Sequence, residues 1–273
     1  MDLDATGKVT LDRIYVQPDP RAYFTTLREF DYGIPQLAKP YFTKFIQEYR
    51  EHTGVVVPTV LDLGCSYGIN AALLRCEATI DELYEHYGSS APDDLEELLA
   101  RDRELVRSRG QLDVARFVGL DNSGPALSYA VSAGFLDAAV HADLERQDPT
   151  AAQREQLRGA DLVISTGCIG YVGEPTLRRV IAAQDGRLPW MAHFVLRMFP
   201  FEPVADRLAR LGYESVVADG VFRQRRFASA EEQSQVLETL SAAGVDPSGL
   251  ETDGWLYARL HLSRPRGTRP VSA

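Results

Sequence analysis

The sequence predicts an α/β fold: a seven-stranded, mostly parallel sheet with helices on both faces, an N-terminal helical lid, and a helical insertion after the first strand and helix. Three observations lead there. Short β-rich apolar runs alternate with amphipathic helical runs through most of the chain, the pattern of parallel strands joined by crossover helices. The first such run, VVVPTVLDLG, ends in a glycine turn, Gly64 to Gly68, that feeds a helix. A charged, amphipathic stretch from about Ala78 to Arg109 then parts that helix from the second strand.

In chain order, residues 1–20 read as a loose start closing on the proline-bounded QPDP. Tyr23, Phe24, Leu27 and Phe30, then Phe42, Phe45, Ile46 and Tyr49, recur at helical spacing, so two helices are predicted with a break at GIPQLAKP. They form the cap, residues 1–54, and the sheet domain spans 55–273 with its insertion at about 78–112. VVVPTVLDLG is a buried strand and INAALLR a helix. The insertion reads as two helices around a Gly-Ser-Ser-Ala-Pro break.

After it, RFVGLD, DAAVHAD, ADLVISTG, WMAHFVLRMF and YESVVADGVF read as strands. SGPALSYAVSAG, PTAAQREQLRG, EPTLRRVIAAQ and PVADRLARLG read as the helices between them. A helix, SAEEQSQVLETLSAAG, and a last strand with period-2 alternation, GWLYARLHLSRP, complete the chain.

At 273 residues, with 45% hydrophobic and 25% charged residues, the chain can bury a full core. Its net charge of −10 repels polyanions, so nucleic acid is excluded as a partner, and Arg223, Arg225 and Arg226 read as a solvated strand edge. The start has no basic and apolar leader pattern and no run is long enough to cross a bilayer, so the expectation is a cytoplasmic protein with no membrane partner. Three cysteines, Cys65, Cys76 and Cys168, without a CxxC pair suggest buried thiols, with neither disulfide nor metal. A homodimer is compatible with the sequence and not required by it.

In a sheet of this kind ligands bind beyond the carboxyl ends of the strands where the winding reverses. Gly64 permits the sharp turn and close backbone approach, and Gly68 lets the helix start near the strand. Asp121 ends the next strand, where a carboxylate can accept both hydroxyls of a ribose. Asp143 ends the third, where an acceptor beside a backbone amide suits adenine. Strand-end aspartates also serve simply as caps, so the row of three features carries the reading rather than any one.

From about Val56 to Arg197 the chain resembles the class I S-adenosylmethionine-dependent methyltransferases, a Rossmann-like family. VLDLGCSYG resembles their glycine-rich first motif, with Asp62 as its acid; VGLDNS resembles the second, HADLE the third and ADLVISTGCIGYV the fourth. The resemblance implies S-adenosylmethionine as cofactor. Gly64, Cys65, Ser66, Tyr67 and Gly68 would meet its methionine part, Asp121 and Asn122 the ribose, Asp143 and Leu144 the adenine, and Ser165, Thr166 and Gly167 would border the methyl group. Two departures stand out: Ser66 replaces the family's usual middle glycine, with Tyr67 beside it to shape the methionine pocket, and Asp62 lies 59 residues from Asp121, against about 20 in a dinucleotide-binding unit.

Methyl transfer needs alignment, water exclusion and a place for any proton released, and no fixed triad. Tyr171, at the exit of the fourth strand, either faces the sulfonium with its ring or packs under the lid. Arg197 at the end of HFVLRMF either pairs with an acceptor carboxylate at the rim or makes a structural ion pair. Tyr32 and Tyr41 are the lid candidates, Tyr32 being assigned with Tyr171 and Arg197 to the catalytic set, and His193 and His141 read as satisfied core histidines. The expected activity is methyl transfer to a small-molecule acceptor in specialised metabolism. Two alternatives remain open: a cyclase that consumes S-adenosylmethionine to form azetidine-2-carboxylate and methylthioadenosine, and a non-catalytic binding module.

Overall fold

The structure is a computed structural model that describes residues 3–4, 6–88, 91–92, 94–111 and 114–268. Ser89 and Ser90, inside the predicted break of the insertion, lie outside the described residues, as do Met1, Asp2 and Ala5 of the predicted lid.

The chain opens with α1 (Asp12–Tyr15), α2 (Arg21–Glu29) and α3 (Ile34–Thr53), then β1 (Thr59–Leu63), α4 (Ile69–Arg75), α5 (Ile80–His86) and α6 (Leu95–Arg109). It continues through β2 (Arg116–Asp121), α7 (Gly124–Ser132), β3 (Ala138–His141), α8 (Ala151–Leu157), β4 (Leu162–Thr166), α9 (Glu174–Ala182) and β5 (Trp190–Leu196). α10 (Glu202–Arg210), β6 (Tyr213–Val217), β7 (Phe222–Arg226), α11 (Ala230–Ala242) and β8 (Trp255–Pro265) complete it.

The sheet order is β3-β2-β1-β4-β5-β8-β6, with β7 also on β8. Pairs among β1 to β5 are parallel, and β8 runs antiparallel to β5, β6 and β7. The sequence predicts seven strands, whereas the sheet has eight in seven positions. β6 pairs with residues 261–265 of β8 and β7 with 255–258, both on the edge away from β5, so YESVVADGVF is one edge strand interrupted at 218–221. Gly220, at φ 92°, makes the turn that breaks it.

Alternation along the strands divides the sheet's two faces. Val60, Leu162 and Ile164 point into one core, where Phe42, Phe45 and Ile46 of α3 cover them. Leu61, Leu63 and Val163 point into the other, beneath residues of α9 and α10. Within the stretch predicted as a cap, α3 is therefore a layer on the sheet.

The insertion shares a core with α2, α4 and α7. Leu83, Tyr84, Tyr87, Leu98 and Leu99 pack with Phe24 and Leu27 of α2, and the Phe24 ring stacks on Tyr87 at 4.6 Å. A Thr79–Glu82 capping box starts α5 and Asp94 caps α6. Asp102 is wholly buried yet accepts from the Tyr87 and Tyr129 hydroxyls and lies 2.6 Å from His86 Nε2, so its polar atoms are satisfied and α6 is pinned to α7.

The winding reverses between β1 and β4, since β1 leads outward to β2 and β3 while β4 leads the other way to β5. The crevice beyond the carboxyl ends of β1 and β4 is where an open α/β sheet binds ligands.

Candidate functional site

A cavity of about 790 Å³ occupies that crevice. Its floor is the exits of β1, β2, β3 and β4, and the chain's first residues, from Asp4 to Val16, form much of its wall.

The glycine turn is made by left-handed residues: Gly64 at φ 62°, Ser66 at φ 50° and Gly68 at φ 76°. A Cβ on Gly64 would lie 2.7 Å from Cys168 Cβ, so the close approach there joins β1 to the β4 exit. A Cβ on Gly68 would lie 3.2–3.4 Å from Ala130, Leu136 and Phe135, which is how α4 begins close against α7. Gly64→Ala combines backbone strain with overpacking and is expected to cost about 2–4 kcal/mol of stability. Thermal unfolding measures it, and Cys168→Ala should give no relief because the clash is with Cβ.

Asp121 stands at the end of β2 on the cavity wall. The Ser66 N–H donates to its Oδ2 at 2.9 Å and the Ser123 N–H to its Oδ1 at 2.9 Å. Burial raises its pKa, opposed by these backbone donors. Each oxygen keeps a lone pair for a ligand hydroxyl. Ser66 also lines the cavity, and its Oγ is buried with no hydrogen-bond partner among the described residues.

Asp62 lies one layer deeper, wholly buried, and takes Asn70 Nδ2 at 3.0 and 3.2 Å. Asn70 in turn reaches Thr166 Oγ1 at 3.1 Å, and both Asn70 and Thr166 face the cavity. Burial lifts Asp62 to about 7 against the pull of Asn70. A carboxyl whose folded pKa exceeds its unfolded value of 3.8 holds its proton better in the folded state, so stability falls as pH rises from about 4 to about 7. Denaturant midpoints across that window should show the slope, and Asp62→Asn should remove this contribution.

Of the residues predicted to bind cofactor, Gly64, Cys65, Ser66, Asp121, Asn122, Asp143, Leu144, Thr166 and Gly167 line the cavity. Asp62, Tyr67, Gly68 and Ser165 do not. Tyr67 turns away from the predicted methionine pocket and donates to Ile14 O and Gln17 O. Ser165 Oγ is 2.8 Å from His193 Nδ1 in the core. Asp143 partly caps its own turn, accepting the Glu145 and Arg146 N–H groups at 3.2 Å.

Tyr171 and Tyr32 reach the cavity. Arg197 does not: it is buried in an ion pair with Glu251 at 2.6 Å and donates to Asp246 O, because β8 and the turn before it cover that end of β5. Tyr41 packs on Phe194 and Phe222 rather than serving as a lid. His193 is a core residue as read, with only its Nδ1 partnered among the described residues, and the His141 reading changes. His193 Nε2 is buried without a partner among the described residues, and His141 is exposed, with Nε2 3.0 Å from Asn122 O.

The sequence reading put residues 1–54 in a helical cap with 1–20 as its loose start, whereas these first residues are tied into the cavity wall. Val9 N–H donates to Glu232 Oε1 at 2.8 Å, Ser123 Oγ donates to Tyr15 O, and Tyr171 OH donates to Asp4 Oδ2 at 2.5 Å. Together with the Tyr67 hydroxyl these tie a strap from residue 4 to residue 17 across the crevice. Glu232 also accepts both Arg225 Nη atoms and the Ala228 N–H. Most of these bonds engage the strap's backbone, which leaves no periodicity in its sequence.

No protein-family model matches the chain, and no curated protein does. Similar solved structures include the plantazolicin methyltransferase BpumL in complex with SAH, at 13% identity, 93% coverage of this chain and 93% of that one, and a TM-score of 0.43. The N-methyltransferase NodS from Bradyrhizobium japonicum WM9, with S-adenosyl-l-homocysteine, is 11% identical over 94% of this chain and 96% of that one, TM-score 0.46. Magnesium protoporphyrin IX methyltransferase (ChlM) from Synechocystis PCC 6803, with bound SAM, is 10% identical over 84% of this chain and 79% of that one, TM-score 0.41.

Proposed function

We propose that the protein is an S-adenosylmethionine-dependent methyltransferase acting on a small-molecule acceptor. The observation that carries this reading is the Asp121 carboxylate, held by the Ser66 and Ser123 N–H groups at the switch point, beside a left-handed turn and the unpartnered Ser66 Oγ. That donor and acceptor set fits a ribose at Asp121 and the polar methionine end along Gly64 to Ser66, with Asn70 and Thr166 opposite. Asp143 and Leu144 lie at the β3 end, where an adenine would follow the ribose.

The bound cofactor supplies an activated methyl group on a positively charged sulfur. The chain's part is to hold, orient and shield. Asp62 acts through Asn70, fixing the amide that faces the cavity. Tyr15, Tyr23 and Tyr32 present aromatic surface, which attracts a sulfonium by about 0.5–2 kcal/mol. The strap forms one wall of the cavity, so an acceptor and donor held against it would be aligned and shielded on that side.

The test is calorimetry with S-adenosylhomocysteine, followed by incubation with methyl-labelled S-adenosylmethionine and a panel of small acceptors. Uptake of the nucleoside and label on an acceptor are expected. Methylthioadenosine above the spontaneous background, with no acceptor present, would replace the reading by the cyclase. Uptake with every acceptor unlabelled and no methylthioadenosine would leave the binding module, and a nicotinamide or phosphate ligand bound in its stead would overturn all three.

A further inference from the structure

Three cationic side chains line the cavity: Lys8, Arg146 and Arg225. Arg225 is neutralised by Glu232, with Nη1 and Nη2 at 2.9 and 2.5 Å, and Arg146 lies 3.6 Å from Asp143. Lys8 is different. It is only 7% exposed, and among the described residues no carboxylate lies within ion-pair distance of its Nζ. The ammonium instead sits over the Tyr171 ring, 4.7 Å from its centroid, and 5.9 Å from that of Phe199.

Asp4 and Glu232 act on this ammonium only from beyond ion-pair distance, so it keeps hydrogen-bonding capacity for an anion in the cavity it lines. Burial and the neighbouring Arg225 charge lower the Lys8 pKa to about 8, while Asp4 and Glu232 hold it up. At neutral pH it is therefore still mostly an ammonium. Tyr171 cannot neutralise it as a phenolate, because burial and its bond to Asp4 keep that hydroxyl protonated.

Place and surroundings narrow that anion. Tyr171 and Phe199 follow β4 and β5, whereas Asp121 and Asp143 stand at the exits of β2 and β3, so Lys8 is on the side away from the ribose and adenine positions. The nearby wall combines the aromatic and apolar side chains of Tyr15, Tyr171, Val9 and Leu11 with the polar ones of Asp4, Thr10 and Arg225. An acid on a flat apolar body matches such a wall, and a carboxylate is ionised at the pH where Lys8 is charged, while a simple phenol is not.

Building on the methyltransferase reading, we propose that Lys8 sets the acceptor class: its ammonium, seated on the Tyr171 ring, pairs with the carboxylate of a small aromatic acid. The pair orients the acceptor and makes a specificity residue of a lysine in the strap. It adds no covalent step, and the proton balance of methyl transfer is unchanged by it.

Benzoate and its neutral isostere benzamide are the probes, titrated at pH 7 by calorimetry and protein-observed NMR, with and without S-adenosylhomocysteine. Wild type should bind benzoate at least about tenfold more tightly than benzamide, as expected of one charge-assisted hydrogen bond. Lys8→Met should abolish that preference and Lys8→Arg keep it, with S-adenosylhomocysteine affinity within about twofold of wild type in both. Equal binding of the two probes by wild type overturns the proposal. So does a tenfold loss of S-adenosylhomocysteine affinity in Lys8→Met, which would assign Lys8 to the cofactor's own carboxylate. Should wild type prefer benzoate yet take up no S-adenosylhomocysteine, the methyltransferase reading falls and the carboxylate site at Lys8 stands. Thermal midpoints of the variants confirm that they fold.

Discussion

Asp121→Asn should reduce affinity for S-adenosylhomocysteine about 100-fold. The substitution removes the charge that strengthens two hydroxyl contacts, and hydrogen bonds to charged groups are worth about 1.5–3 kcal/mol each. It also turns one acceptor into a donor. With the Ser66 N–H on one oxygen and the Ser123 N–H on the other, either amide orientation sets an NH₂ against a backbone N–H. The turn would then loosen together with the ribose contact. Calorimetry reads the affinity, and apo-protein unfolding shows how much is loss of the turn itself. An unchanged affinity would remove Asp121 from the cofactor site.

Glu232→Ala should be the most destabilising of the changes considered, by about 3–5 kcal/mol, as is typical when one partner of a buried ion pair is deleted. Glu232 is wholly buried and Arg225 is 3% exposed, so the remaining guanidinium would keep little water contact apart from the cavity it lines. At about 2–4 °C per kcal/mol the melting temperature should fall by roughly 10 °C. The strap should loosen as well, because Glu232 accepts the Val9 N–H. Hydrogen exchange at Val9 would report this directly. Replacing Arg225 and Glu232 together by methionine should recover much of the stability and none of the Val9 bond.

Acid should act on the same link. Burial raises the Glu232 pKa, but the Arg225 hydrogen bonds and charge outweigh it, so the net shift is downward from 4.5. The stabilisation from a lowered carboxylate is complete above that value and drains away as pH falls through the folded pKa.

The sheet was legible because its central strands are buried on both faces and must be apolar throughout. RFVGLD coincides with β2, and WMAHFVL with β5. Asp121 was legible on the cavity wall because the last residue of a strand is placed whatever packs elsewhere, and Asp143 because it follows the end of β3 by only two residues. Of the two readings of Arg197 the structure makes the ion pair, and the sequence did not name its partner because Glu251 lies 54 residues further on, in a turn that no local pattern links to β5. Tyr67 was misread because its hydroxyl engages carbonyls of the strap, and carbonyls carry no sequence identity. The interruption of the edge strand did leave a trace, the Asp219-Gly220 pair, within a run otherwise rich in strand formers.

That interruption bears on solubility. An unpaired outer rim invites another molecule to add a strand, the more so where Val216 and Val217 are about half exposed. Splitting the rim into two five-residue pieces denies an incoming chain a long straight template, and the opposite border, β3, has only four residues. Both flanks of the sheet thus resist polymerisation through backbone pairing, leaving the concentrated protein free of that route to aggregates.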